Sequence, residues 1–233
     1  MNTKAILLPF YVIVDTSLSM SGEPINAAND IVPSLCDLLR ENPTLRDKVR
    51  FSLIDFSSQA VLRIPLSDLR NVRPPVLTAG GATSYAAAFR LFGKQIAKDV
   101  EQLRADGFAH HRPVAFFITD GEPTDADDVW QRELDELGAG ANPPNIVPFG
   151  VGETNPSTLN TLVRPEGRFT AYKVAEGHTA SEAIKDTTSI LIQSVISSAA
   201  GKADEEGGEG FVLDPGYKAE AVEPVPDDAI DWG

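Results

Sequence analysis

The stretch from Leu8 to Pro24, Leu-Pro-Phe-Tyr-Val-Ile-Val-Asp-Thr-Ser-Leu-Ser-Met-Ser-Gly-Glu-Pro, constrains the fold more than any other part of the chain. Its apolar run is continuous rather than alternating, which predicts a parallel strand buried on both faces over residues 6–14. The run stops abruptly at Asp15, and Ser17 and Ser19 follow at alternate positions. In an open α/β sheet the loop leaving such a strand is where a ligand binds. Asp15, Ser17 and Ser19 are hard oxygen donors, which suit Mg²⁺ rather than Zn²⁺.

The rest of the chain repeats the strand–helix alternation. Helical spacing over 24–41 is interrupted by Pro33, which predicts a kink or restart, and Asn42-Pro43 stops the run. Strands over 49–56 and 60–65 are joined by Ser57-Ser58-Gln59 as a hairpin, the second at an antiparallel edge where Arg63 and Pro65 are tolerated. A long helix follows Gly80-Gly81 over about 84–105. A buried strand at 113–119, a helix at 126–138, a strand at 145–151 despite Pro148, a short helix at 156–163, a short strand at 168–173 and a last helix at 179–199 complete the pattern. This order predicts an α/β class fold: a doubly wound, Rossmann-like, mostly parallel sheet with one antiparallel edge strand and helices on both faces. Right-handed crossovers place the loops after Val14, Thr119 and Val151 on one edge.

Two further loops then bring oxygen to that edge. Thr83 follows a Gly-Gly turn that lets backbone approach closely, and Asp120 ends the strand at 113–119. Asp15, Ser17, Ser19, Thr83 and Asp120 make an oxygen-only set of two carboxylates and three hydroxyls. Mg²⁺ keeps waters in such a site, leaving coordination open to another oxygen. Taken alone, Asp15, Ser17 and Ser19 read equally well as a helix cap. Asp125 is expected to cap the helix after it, and Glu122 to be a rim group or a cap. His110-His111 are expected in solvent, Cys36 and Trp130 in the core, and His178 without a partner.

The three motifs resemble those of von Willebrand factor A domains over about residues 6–200. Asp15-Thr16-Ser17-Leu18-Ser19 is similar to the family's Asp-x-Ser-x-Ser, and Thr83 and Asp120 match its two further metal motifs in order. Ser-Met-Ser-Gly-Glu-Pro and Thr-Asp-Gly-Glu-Pro-Thr-Asp resemble the bacterial tellurite-resistance TerY branch. The resemblance implies a metal-ion-dependent adhesion site holding Mg²⁺, or Mn²⁺ or Ca²⁺, in which Ser17 and Ser19 bind directly. Thr83, Asp15 and Asp120 bind directly or through water. It also implies a partner protein that donates a carboxylate, with a kinase or phosphatase of a stress-response system as the expected class, and no enzymatic activity of the chain itself.

Composition narrows the alternatives. No run reaches the ~18 apolar residues of a membrane span, and residues 5–14 lack the features of a signal peptide. With one cysteine, Cys36, neither a disulfide framework nor a cysteine-based zinc cluster can form, and the cytoplasm is the expected compartment. The formal net charge is −14. Residues 201–233 hold two basic and ten acidic residues, net −8, so the first 200 carry −6. No basic face points to nucleic acid. The division expected is a domain over 1–200 and a flexible acidic tail over 201–233. Phe211, Tyr217 and Trp232 in that tail are expected to dock on a partner or on the domain itself. The competing functions are a metal-dependent phosphohydrolase or phosphotransferase and a scaffold with an inactive metal site. No Walker A pattern or Gly-x-Ser-x-Gly elbow supports the enzyme reading.

Overall fold

The computed structural model describes residues 5–166, 168–199, 211–214 and 219–226. The first strand, β1 (Ile6–Asp15), lies at the centre of the sheet. Helices α1 (Glu23–Asn29), α2 (Ile31–Glu41) and α3 (Pro43–Lys48) follow. The break expected near Pro33 falls at Asp30, which leaves the proline in the first turn of α2, where no helical N–H is lost. Pro43 likewise begins α3. The hairpin of β2 (Val49–Phe56) and β3 (Ala60–Ser67) forms the antiparallel edge.

Helix α4 (Tyr85–Ala105) leads through a two-residue strand, β4 (Ala109–His110), to β5 (Val114–Thr119). Then come α5 (Asp127–Ala139), β6 (Asn145–Gly150), α6 (Pro156–Leu162), β7 (Tyr172–Val174), α7 (Ala180–Ala199) and β8 (Val222–Pro224). The sheet order is β3-β2-β1-β5-β6-β7-β8, with β4 beside the start of β1. All neighbours are parallel except β2–β3 and β7–β8.

Period-two alternation along β1 divides the core between two faces. Leu8, Phe10, Val12 and Val14 face α1, α2 and α7, whereas Tyr11 and Ile13 face α4 and α5. Both sides are covered, which is why the strand reads as an unbroken apolar run. Pro148 is accommodated in β6 for a specific reason. Ile146 N–H donates away from β5, to Arg164 O at 2.8 Å. Two residues on, the nitrogen of Pro148 faces the same side, and β7 starts pairing only at Phe149. No ladder bond is lost there.

The boundary expected at residue 200 does not mark the end of ordered structure. Strand β8 pairs with β7, Lys173 opposite Glu223. Asp186 of α7 accepts from the backbone N–H groups of Glu220 and Ala221, both at 2.8 Å. Phe211 is 2 % exposed and packs on Phe10, Phe116 and Phe169. Of the two expectations for Phe211, contact with another protein or with its own domain, the second is what the structure shows: the ring fills an aromatic socket on the sheet, so it is not offered to a partner. Tyr217 and Trp232 lie outside the described residues. His110 also departs from expectation, being half-buried in β4.

Candidate metal centre

Three loops meet at the C-terminal ends of β1 and β5, and backbone hydrogen bonds lock them together. Leu18 N–H donates to Gly81 O at 3.1 Å and Gly80 N–H to Thr16 O at 2.8 Å. Thr124 donates to Thr83 O through both its N–H, at 2.8 Å, and its hydroxyl, at 3.0 Å. Gly81 makes the second loop possible. Its φ of +84° suits glycine, and a Cβ there would meet the Ser58 hydroxyl at 2.8 Å.

The expected donors lie where the sequence places them. Asp15 is fully buried; one carboxylate oxygen accepts from Ser17 N–H at 2.7 Å and the other from the Thr119 hydroxyl at 2.7 Å. The Ser17 and Ser19 hydroxyls are 3.0 Å apart, and Ser19 donates to Asp120 at 2.9 Å. Thus the Ser17, Ser19 and Asp120 oxygens are bonded in sequence, and Asp15 joins them through the backbone N–H of Ser17. Thr83 is buried beside them and tied in through the backbone bonds already given.

Supporting residues that the sequence does not single out lie beneath. Thr119 is the hinge, since its hydroxyl holds Asp15 while the Tyr85 hydroxyl approaches it at 3.3 Å. Tyr85 also donates to Gly121 O at 2.9 Å, so the start of α4 is bonded to the Asp120 loop. Asp125 caps a different helix from the one expected. It accepts from Ala86 N–H at 2.9 Å and from the Ser84 hydroxyl, at the N-terminus of α4 rather than α5. A carboxylate there complements the exposed amides of the first turn. Glu122 is a rim group that accepts from Asn155 N–H and Thr158. Trp130 is a core residue as expected, and His178 approaches Glu182 at 3.7 Å.

Gly152 is the least visible of these. A Cβ on it would stand 2.2 Å from the Asp120 carbonyl oxygen and 2.9 Å from its Cβ. Only a residue without a side chain lets the loop after β6 pass this close. The signal in the sequence is a lone glycine two residues beyond an apolar strand. Gly152→Ala should displace Asp120, destabilise the fold by about 1–3 kcal/mol through overpacking, and weaken divalent-ion affinity by about tenfold or more. Calorimetric titration beside chemical denaturation checks both; unchanged ion affinity would refute the link to Asp120.

The electrostatics suit a cation. Burial pushes the Asp15 carboxyl up to about 6, against the hydrogen bonds that favour its charged form, and the neighbouring Asp120 adds to the rise. Burial raises Asp120 as well. The structure thus holds two close carboxylates in a poorly solvated place, where a divalent ion would compensate both. Among the described residues no group of three or more His, Cys, Asp or Glu could hold a metal. A metal here would rely on hydroxyls as much as on carboxylates, a donor set that fits a hard ion with retained waters.

A pH dependence follows. An acid raised on folding binds its proton more tightly in the native state. In metal-free protein the Asp15 contribution to stability is therefore fully present below about pH 4 and lost as pH rises through about 6. Asp15→Asn should outlast wild type in EDTA at pH 7, by on the order of 2 kcal/mol, and the difference should vanish by pH 4. Denaturant titrations across that range check it; a difference independent of pH would contradict the assignment.

Comparison with known proteins agrees with this fold. Residues 10–122 match the model of the von Willebrand factor type A domain. No curated protein matches the sequence. Among solved structures, a von Willebrand factor type A protein from Catenulispora acidiphila is 17 % identical with a TM-score of 0.60 over 80 % of this chain and 43 % of its own. Proximal thread matrix protein 1 from the mussel byssus, solved with a zinc-occupied MIDAS motif, is 16 % identical with a TM-score of 0.57 over 83 % of this chain and 48 % of its own. The pilus adhesin SpaC from Lactobacillus rhamnosus GG, in an open conformation, is 13 % identical with a TM-score of 0.63 over 84 % of this chain and 30 % of its own. This chain spans half or less of the length of each. The fold is that of a von Willebrand factor type A domain, a mostly parallel sheet with one antiparallel hairpin edge and helices on both faces.

Proposed function

We propose that this chain is a von Willebrand factor type A domain that serves as a metal-dependent protein-binding module. A divalent ion held by Asp15, Ser17, Ser19, Thr83 and Asp120 captures a carboxylate of a partner protein. The observation that carries the reading is the hydrogen-bonded run from Asp15 through Ser17 and Ser19 to Asp120, which gathers their oxygens at one place, with both carboxylates raised by burial. The bound ion supplies an open coordination position; the protein supplies fixed donors and a site shielded from water on its sheet side. Asp15 fixes the backbone N–H of Ser17, the Ser17 and Ser19 hydroxyls bond each other and Ser19 donates to Asp120, and Thr119 and Tyr85 hold those carboxylates' loops in turn.

Mg²⁺ is the proposed ion, with Mn²⁺ or Ca²⁺ as substitutes, because the donors are all hard oxygens. The mussel protein's zinc-occupied MIDAS motif supports divalent binding at such a site. Resemblance of the loop sequences to the tellurite-resistance branch supports a bacterial stress system, and with it a kinase or phosphatase partner in the cytoplasm. Among the described residues no helix is long and apolar enough to cross a membrane. We read the module as a binder rather than an enzyme, because the Ser19 and Thr119 hydroxyls donate to the carboxylates proposed to hold the ion and no His or Cys stands in residues 15–24, 76–89 or 120–131 to serve as base or nucleophile.

Titration of the purified protein with Mg²⁺ and Mn²⁺, with affinity capture from the source cell extract in Mg²⁺ and in EDTA, tests this. One saturable ion per chain and a captured protein lost in EDTA are expected. No ion binding, or capture indifferent to EDTA, would overturn it; phosphate release from generic phosphomonoesters would favour the enzyme.

A further inference from the structure

The loops that surround the candidate metal centre have a one-sided charge. Residues 15–24, 57–59, 76–89, 120–131 and 151–163 meet at the sheet edge where β1, β2, β5 and β6 end. Together they contain no Lys, Arg or His, and they carry eight carboxylates: Asp15, Glu23, Asp120, Glu122, Asp125, Asp127, Asp128 and Glu153. The rim acids that have hydrogen-bond partners are held by neutral donors. Glu122 is bonded to Asn155 N–H and Thr158, Asp125 to Ala86 N–H and Ser84, and Asp127 to the Trp130 indole at 3.0 Å. Neutral donors orient a charge without cancelling it.

An exposed apolar side chain stands among these loops. Leu18, between the two serine donors, is 67 % exposed. Its N–H is bonded to Gly81 O, which places it beside the exposed Gly81 and Ala82. A large aliphatic side chain left in solvent between two metal ligands is a natural contact for a partner's apolar residue.

Resting on the metal-dependent reading above, we infer that the partner is basic around its coordinating acid. It presents one Asp or Glu flanked by Lys or Arg, with an aliphatic residue alongside to cover Leu18. One divalent ion offsets two of the eight negative charges, so a carboxylate arriving in an acidic context meets net repulsion. The same carboxylate between cations meets attraction, and the attraction is screened by salt. The chain's own acidic C-terminal segment is thereby disfavoured as an occupant in cis.

Three labelled peptides test this by anisotropy and by amide chemical-shift mapping on the full chain in Mg²⁺. They are Lys-Lys-Leu-Asp-Lys-Lys, Glu-Glu-Leu-Asp-Glu-Glu and Lys-Lys-Leu-Asn-Lys-Lys. The first should bind about tenfold or more tighter than the second, weaken as salt is raised, and shift Leu18 and Ala82. The asparagine peptide should lose the dependence on Mg²⁺. The double variant Asp128→Lys/Glu153→Lys, which touches none of the proposed ion ligands, should narrow the gap between the first two peptides about threefold or more while Mg²⁺ itself still binds. Equal binding of the basic and acidic peptides in a Mg²⁺-dependent manner overturns the inference and leaves the metal-dependent reading standing. Mg²⁺-independent binding of all three, or no binding of any, overturns it as well. Failure of Mg²⁺ to bind the protein at all brings down the reading beneath it.

Discussion

Asp120→Ala should lose divalent-ion binding, by at least about a hundredfold, and yet unfold no more easily than wild type when both are free of metal. The two halves of this expectation share one cause. Asp120 is a mostly buried acid whose carboxyl is held above its ordinary range, and its charge lifts Asp15 further. Without an ion it is a cost to the fold. Removing it relieves Asp15 and frees the Ser19 hydroxyl, which is exposed and can turn to water, while the buried Ser17 hydroxyl keeps its bond to Ser19. The metal-free variant should match wild type or exceed it by about 1 kcal/mol, as is common where a site is kept at the expense of stability. With saturating Mg²⁺ the order should reverse, since only wild type gains the stabilisation that comes from binding the native state alone. Thermal unfolding of both proteins in EDTA and in Mg²⁺ decides it. An equal rise in melting temperature for both on adding Mg²⁺ would remove Asp120 from the site.

The two carboxylates of the candidate centre are legible in the sequence because each sits where a strand ends. Asp15 closes an apolar run in β1 and Asp120 closes one in β5, so hydropathy alone aligns them on one edge. Thr83 is harder, because its loop is placed by backbone bonds to residues 16–18 and 124, which periodicity does not encode. Thr119 and Tyr85 read simply as strand and helix residues; only their pairing shows that they hold Asp15 and Gly121. Asp125 capping α4 from across the site has the same origin, since a capping acid carries no record of which helix it caps. Short strands escape for a different reason. Two residues in β4 and three in β8 give no alternation to detect, and β8 lies in an acidic, proline-containing stretch whose composition mimics disorder.

Phe211→Ala shows how far that composition misleads, for it should cost about 3–5 kcal/mol, a fall in melting temperature on the order of 10 °C. The ring is buried where α7 crosses the sheet, with its centroid 6.2 Å from both Phe10 and Phe116 and 5.9 Å from Phe169. Its segment is fastened to α7 by polar bonds. Val212 N–H donates to the Ser198 hydroxyl at 2.9 Å, Asp214 N–H to the Ser194 hydroxyl at 3.0 Å, and the Ser197 hydroxyl to the Asp214 carboxylate. These serines are on the buried side of α7, so deleting the segment would also take Asp214 from the Ser194 and Ser197 hydroxyls, while Ser198 keeps its bond to Ser194 O. The loss should nevertheless spare the metal centre. Phe10 and Phe116 lie five and four residues back along their strands from Asp15 and Asp120, on the order of 15 Å at strand rise. Urea denaturation beside Mg²⁺ titration of the folded variant separates the two effects. A stability change within about 0.5 kcal/mol would mean that the ring is not part of the core. A matching loss of Mg²⁺ affinity would mean that residues 211–214 set the geometry of the site as well as the stability of the sheet.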